Sequence, residues 1–200
     1  MKKIITISRE YAAGGRKIAK LVAEQLNIPY YDKDIVKETA KASGFEPELI
    51  ESEGEVVSRT DSILKTICSA SSLQFNDTQE VIHDVQQAII LRLAQEGPCV
   101  IVGRCADEIM RQAGIDSLNV FIHADQLHRA VYASELTGIT SATELQKLLK
   151  RMDTGRQNYY THYTGRKWGD LHNYHLSLDS GTLGYDLCAK FIVEAFQAEN

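Results

Sequence analysis

An α/β architecture, a parallel sheet between two layers of helices, follows from how apolar residues are spaced along the chain. Continuous apolar runs of strand length (Lys3 to Ser8, Cys99 to Val102, Leu118 to Ala124) alternate with stretches whose apolar residues recur at helical spacing. The runs show no inside–outside alternation, so each strand is buried on both faces, as in a parallel sheet covered by helices. The chemically informative residues (Glu10 to Lys17, Asp32, Gly103-Arg104, Asp179) all fall just past strand ends. Ligands of such sheets bind there.

The elements follow in order. Lys3 to Ser8 is β-branched and apolar, a buried strand. From Gly15 to Asn27 the helical face is Ile18, Leu21, Val22 and Leu26, and Asn27 with Pro29 beyond it ends the helix. Pro29-Tyr30-Tyr31 forms a short strand, and Asp32 stands where an N-cap opens a helix over Lys33 to Ala42. Gly44 to Asp77 is more weakly patterned, with Glu and Ser enriched around Glu51 to Ser58, and short helices with a mobile link are expected. Asp77 or Thr78 opens a long amphipathic helix with Val81, Val85, Ile89 and Leu93 on one face, stopped by Gly97-Pro98. Cys99 to Val102 is a second buried strand, broken by Gly103-Arg104; Ala106 to Ala113 is helical and Leu118 to Ala124 a third strand. Asp125 caps a helix over Gln126 to Leu136, and Ser141 caps a long helix running to about Tyr160. Thr161 to Asn173 is rich in Gly, Tyr, Trp and charge and reads as a loop. Tyr174 to Leu178 is the last strand and Leu183 to Ala198 the last helix.

Composition bounds the function. A chain of 200 residues, 44% hydrophobic and 24% charged, suits one domain with a substantial core or one domain with a small lid. A formal charge of -5 argues against a nucleic-acid binder, which is usually basic. Cations instead recur locally, at Arg16 and Lys17, Arg104, Arg151 and Arg156, and Arg166 and Lys167, a pattern that suits a small polyanion better than a polymer. Cys68, Cys99, Cys105 and Cys188 have no C-x-x-C spacing, so neither zinc nor a disulfide framework is indicated, and Cys99 and Cys188 read as buried small hydrophobes. No run approaches the roughly 18 apolar residues of a membrane span, nor the apolar core of a signal peptide, so a cytoplasmic protein without a membrane partner is expected.

The segment joining the first strand to the first helix is Arg9-Glu10-Tyr11-Ala12-Ala13-Gly14-Gly15-Arg16-Lys17. A tight turn feeding a helix N-terminus points backbone N–H groups at an anion. The common form of such a loop is G-x-x-x-x-G-K-[ST]. Here Arg16-Lys17-Ile18 follow the two glycines, so no Ser or Thr stands in register to hold Mg²⁺. The alternative is a strand-to-helix turn without a ligand.

With these pieces in order, the chain resembles the cytidylate kinase-like family of P-loop nucleoside-monophosphate kinases along most of its length. Ser8-Arg9-Glu10-Tyr11-Ala12-Ala13-Gly14-Gly15-Arg16 is similar to the family's S-R-E-Y-G-S-G-G-R, with Ala12 in place of a glycine. Pro29-Tyr30-Tyr31-Asp32-Lys33 matches the start of the monophosphate-binding region, and Val100 to Asp107 the strand and G-R-x-A-D turn. Asn119 to Ala124 with Arg129 is like the next strand and its helix. Asp153, Arg156, Tyr159-Tyr160, and Thr164-Gly165 through Trp168-Gly169-Asp170 are similar to the lid. Thr154 stands where the family has a lysine, and His175 where N-Y-D-L has its aspartate.

The resemblance implies a single P-loop domain over 1–200, with a helical monophosphate-binding insertion at 33–97 and a lid at 150–173. It implies transfer of the γ-phosphate of ATP, with Mg²⁺, to a small acceptor such as CMP or another nucleoside monophosphate. Ala12, Ala13, Gly14 and Gly15 would cradle the donor phosphates, and Arg16 or Lys17 would replace the usual P-loop lysine. Arg104, a charge directly after a buried strand, would contact the acceptor, or else pair with Asp107 or Glu108. Asp32 is either an N-cap or a residue beside the acceptor and metal. Arg156 would come from the lid with Asp153 holding it, or the two form an internal pair on a solvated helix. Tyr159, Tyr160, Tyr163, Trp168 and Tyr174 stack a base or pack the lid on the body. His123 reads as a core histidine, and Glu10 and Asp179 are the acidic residues near the loop for Mg²⁺. The metal ligands and the oligomeric state, a homodimer included, stay open. The rival reading is a catalytically degenerate nucleotide-binding sensor on the same fold.

Overall fold

The computed structural model describes residues 4–47, 50 and 75–198. Strands β1 (Ile4–Arg9), β2 (Tyr30–Tyr31), β3 (Cys99–Val102), β4 (Ser117–His123) and β5 (Leu176–Asp179) form one sheet in the order β2-β3-β1-β4-β5. Every pairing is parallel. The central strand β1 aligns Ile4 with Cys99 on one side and Ser117 on the other. That register brings Arg9 and the residues just after Val102 to the same, carboxyl edge of the sheet.

Strands β1 and β3 are rich in β-branched residues and buried along their whole length. Ile5, Ile7, Val100, Val102 and Val120 pack under helices α1 (Gly15–Leu26) and, at the end of the chain, α8 (Tyr185–Gln197), against Ile18, Val22, Cys188 and Ile192. Ile4 and Ile101 face the other way, onto α2 (Lys33–Ser43), α3 (Phe75–Glu96) and α4 (Ala106–Gln112) through Ile35, Ile90, Leu93, Ile109 and Met110. Each such side chain contributes about 1.5–3 kcal/mol of burial free energy. Cys99, Cys105 and Cys188 are buried free thiols inside this packing, and Cys68 lies outside the described residues. On the same edge as the strand carboxyl ends run α5 (Gln126–Thr137) and α6 (Ala142–Thr164). Asp125 caps α5 by accepting from the Leu127 and His128 N–H groups, and Ser141 caps α6 by accepting from Glu144. Among the described residues no helix is long and apolar enough to cross a membrane.

The structure differs from the sequence reading at several points. The buried face of α3 is Ile82, Gln86, Ile89, Ile90 and Leu93, while Val81 is 39% exposed and Val85 half-buried. The helix meets neighbours on more than one side, so its apolar stripe turns away from the simple four-residue ladder. Helix α6 continues past Tyr160 to Thr164, ended by Gly165 in the left-handed region. Strand β5 starts at Leu176, leaving Tyr174 buried ahead of it. The final helix is preceded by a separate turn, α7 (Ser180–Leu183), because Gly184 at φ +76° and ψ 165° interrupts the helical path. The weakly patterned segment Gly44 to Asp77 lies for the most part outside the described residues.

Ile82→Ala is expected to lower the free energy of unfolding by about 2–5 kcal/mol in a urea titration. Val81→Ala should change it by no more than about 0.5 kcal/mol. Equal costs would mean that the face assigned to α3 is wrong.

Candidate active site

The turn after β1 is fixed by backbone bonds before any side chain acts. Glu10 N–H donates to the Ile122 carbonyl at 2.9 Å, and Ala13 N–H to the Glu10 carbonyl at 3.3 Å. Ala12 (φ +59°) and Gly14 (φ +75°) take left-handed conformations, and α1 starts at Gly15 with no side-chain cap. The first-turn N–H groups of a helix have no intrahelical partner, and the helix dipole makes that end electropositive. Packing explains the two glycines. A Cβ on Gly14 would lie 2.3 Å from the Tyr185 ring, and one on Gly15 would lie 2.7 Å from Arg9 Cβ. The Ser180 hydroxyl lies 2.7 Å from the Ala13 carbonyl and 3.1 Å from that of His123, tying the turn to the sheet.

Three arginines converge beside this turn. Arg9 ends β1, Arg104 follows β3 and Arg156 comes from α6; they are 4%, 3% and 9% exposed. Together with Ser8, Tyr159, Tyr160 and Trp168 they line a narrow cavity with room for about 20 Å³. Arg156 also donates to the Arg9 carbonyl at 3.1 Å, which ties α6 to the end of the central strand. The turn that carries Arg104 is strained. Gly103, Arg104 and Cys105 sit at φ +74°, +59° and +54°, three successive left-handed residues. For the two residues with a Cβ this costs roughly 1–2 kcal/mol each, and such strain persists where the surroundings over-determine it.

A second cluster joins the lid helix to the turn. Asp153 accepts from Tyr11 N–H at 2.7 Å and from Arg129 at 2.5 Å. Arg129 also reaches Glu10 at 3.4 Å and the Tyr11 carbonyl at 3.4 Å. Burial pushes the Glu10 carboxyl up from its ordinary range, with the Arg129 charge opposing that shift. Asp153 therefore holds Arg129 and the turn, not Arg156 as its spacing on the helix suggests.

The other residues singled out in the sequence fall as follows. Asp32 does not cap α2 with its side chain. It is 3% exposed and pairs with Arg16 at 2.6 Å, while Tyr30 donates to it at 3.2 Å. Arg16 thus leans toward β2, and Lys17 lies over the Tyr132 ring at 4.2 Å. Ala12 to Gly15 do form the turn, and Arg104 and Arg156 line one cavity. The alternative pairing of Arg104 with Asp107 or Glu108 is not formed. Glu108 takes Arg111 at 2.6 Å and Arg166 at 3.2 Å, which hold its carboxyl below the usual range, and Asp107 accepts from Tyr160. Asp179 caps α7 through Gly181 and Thr182 N–H groups. His175 exchanges hydrogen bonds with the Asn119 backbone, extending the β4–β5 ladder. His123 is half-buried on β4, and Arg151 is exposed. Tyr159, Tyr160, Tyr163 and Trp168 pack around Cys105, and Tyr163 stacks on His83 of α3 at 3.6 Å between ring centroids.

Two site residues escaped the sequence reading, Arg9 and Arg129. Arg9 could have been found by the argument applied to Arg104, a charge at the end of a buried strand. The Arg129–Asp153 contact joins two helices 24 residues apart, and nothing in their spacing signals it. Among the described residues no group of three or more His, Cys, Asp or Glu side chains converges as a metal site. A phosphate-borne Mg²⁺ needs only one or two carboxylates because it keeps most of its waters. Glu10, in the turn and 26% exposed at its side chain, fits that requirement better than Asp32 or Asp153, whose carboxylates are committed to Arg16 and Arg129.

Comparison with known proteins speaks to the family and the fold. The model of the cytidylate kinase-like family matches residues 4–182. Among solved structures, an uncharacterized protein from Eubacterium ventriosum ATCC 27560 is 26% identical, with a TM-score of 0.74 over 98% of this chain and 99% of that one. Shikimate kinase from Bacteroides thetaiotaomicron is 15% identical, with a TM-score of 0.55 over 98% and 96% of the two chains. A gluconokinase from Sinorhizobium meliloti 1021 is 14% identical, with a TM-score of 0.51 over 99% and 94%. At these identities the two kinases speak for the fold alone, which is that of P-loop kinases. No curated protein matches the chain.

Removing Asp153 leaves Arg129 a largely buried cation and strands the Tyr11 N–H. Asp153→Ala should therefore cost about 3 kcal/mol of stability, read by urea unfolding. In a double-mutant cycle with Arg129→Ala the two costs should fall short of additive by about 0.5–3 kcal/mol. Strict additivity would show that the contact carries no coupling.

Proposed function

The chain belongs to the cytidylate kinase-like family, and from that premise we propose that it transfers the γ-phosphoryl group of ATP to a small anionic acceptor. The observation that carries this reading is the meeting of Arg9, Arg104 and Arg156 in one cavity beside the Ala12–Gly15 turn. Phosphoryl transfer asks a protein for little covalent chemistry. It asks for fixed N–H donors and cations around the transferred group, and for exclusion of water.

The parts divide between two sides. The turn Ala12–Gly15 and the start of α1 supply N–H donors for the donor phosphates. Glu10 would help to hold Mg²⁺, which would neutralise charge on those phosphates. Arg104 takes the acceptor, and Arg156, delivered by the lid helix, neutralises charge between the two. Asp32 keeps Arg16 at the mouth of the groove that Arg16, Lys17, Lys20 and Tyr132 line. The acceptor that the family's name suggests is a nucleoside monophosphate, CMP first. Such a protein acts as a cytoplasmic phosphotransferase on small molecules.

A second reading, a nucleotide-binding sensor without turnover, is favoured by three contacts. Lys17 lies on an aromatic ring, Arg16 pairs with Asp32, and Asp153 occupies the Tyr11 N–H of the turn. Turnover separates the two. With MgATP and a panel of nucleoside monophosphates including CMP, the enzyme reading expects ADP to accumulate with an acceptor present. Arg104→Ala and Arg156→Ala should each lower kcat/KM by about 10²-fold or more. ATP bound without consumption would establish the sensor, and full activity in either variant would remove that arginine from the site.

A further inference from the structure

Behind the cavity wall stands one group that anion binding leaves unused. Asp107 is 3% exposed and accepts a hydrogen bond of 2.6 Å from the Tyr160 hydroxyl. Tyr160, equally buried, lines the cavity with Ser8, Arg9, Arg104 and Arg156. Among the described residues no cation pairs with Asp107. Its neighbour Glu108 takes Arg111 and Arg166, and Asp107 is left with Tyr160 and the N–H groups at the start of its own helix. Close by, beside Ser8 and Tyr160, the Tyr174 hydroxyl is buried without a hydrogen bond of normal geometry.

A carboxylate in this place opposes the arginines, because it repels the anion they attract. A phosphate acceptor gains nothing from it, since a phosphate oxygen attacks without giving up a proton. A hydroxyl acceptor does gain, because its proton must leave as the new bond forms.

We propose that the acceptor is a hydroxy acid: Arg9 and Arg104 take its carboxylate, Arg156 keeps its place between acceptor and donor, and Tyr160, backed by Asp107, takes the proton of the hydroxyl that is phosphorylated. The inference rests on the phosphotransferase reading of the same site. The acceptor oxygen bonds to the γ-phosphorus as the bond from that phosphorus to the bridging oxygen breaks, and ADP keeps the electron pair. The hydroxyl proton passes to Oη of Tyr160 while the proton of Tyr160 passes to Oδ2 of Asp107. The products are a phosphomonoester, ADP and a neutral Asp107, which returns its proton to water when the product leaves. Tyr160 is then the catalytic residue that touches the acceptor, and Asp107 acts through it.

The test supplies MgATP with D-gluconate, shikimate and D-glycerate as hydroxy-acid probes and CMP as the nucleotide probe, with products identified by phosphorus NMR. A phosphomonoester of a hydroxy acid is expected. Tyr160→Phe, which removes one hydroxyl and keeps the ring, should lower kcat about 10²–10⁴-fold. KM for that acid and Kd for ATP should stay within about twofold. Asp107→Asn should show the same split. A raised KM with unchanged kcat in Tyr160→Phe would overturn the proton-transfer role. Formation of CDP from CMP at a rate that Tyr160→Phe does not alter would overturn the hydroxy-acid inference and leave the phosphotransferase reading standing. ATP bound, with no ADP formed from either class, would overturn both.

Discussion

Burying Arg9, Arg104 and Arg156 at one edge of the sheet is the constraint around which the rest of this molecule is arranged. A guanidinium keeps its charge at any physiological pH, so it cannot escape the cost of burial by losing a proton. Like charges gathered in a dry cleft are tolerated only where carbonyls, carboxylates or a bound anion lie opposite them. The fold meets this need in part with backbone. The Arg9 carbonyl receives Arg156, and the strained turn at Gly103 to Cys105 holds Arg104 where an ordinary turn would release it. Strain of that kind is sustained by the strands on either side, whose apolar burial far exceeds it.

Helix α6 makes the arrangement a unit. Along its length, Asp153 reaches the turn and Arg129, Arg156 reaches the end of β1, Tyr159 and Tyr163 meet His83 of α3, and Tyr160 meets Asp107 of α4. One helix thus touches the turn after β1, the end of the central strand, α3 and α4. A change in any of these contacts is felt at the others, since a helix does not bend freely between adjacent turns. Arg16 is drawn to Asp32 and Lys17 to an aromatic face, so the cations that share the cavity come from strand ends and from α6.

The sheet was legible because its strands are uninterrupted β-branched runs. Cys99 to Val102 was read to the residue, and the starts of α1 and α5 likewise, at Gly15 and Gln126. Legibility failed where a segment answers to several neighbours at once. Val81 looks like a core position by spacing, yet it faces outward because α3 buries Ile82 and Gln86. Tyr174 was placed at the start of the last strand, but it packs beside Phe121 ahead of β5. At the site, the turn and Arg104 could be read from local order. The role of Asp153 could not, since an i to i+3 neighbour on its own helix offered a nearer arginine than Arg129 did. Asp32 carried two readings that only the packing of α1 on β2 could separate.

The central claim is that the three arginines form the anion site. Its most direct test is thermal unfolding of the wild-type chain and of Arg9→Ala/Arg104→Ala across a titration with sodium phosphate at constant ionic strength. Ligand binding to the folded state raises stability by RT ln(1 + [L]/Kd), about 2.7 kcal/mol at a hundred times Kd. The wild-type midpoint should climb with phosphate along that curve, and the variant's should stay flat whatever its starting stability. An equal climb in both proteins, or none in the wild type, would contradict the account.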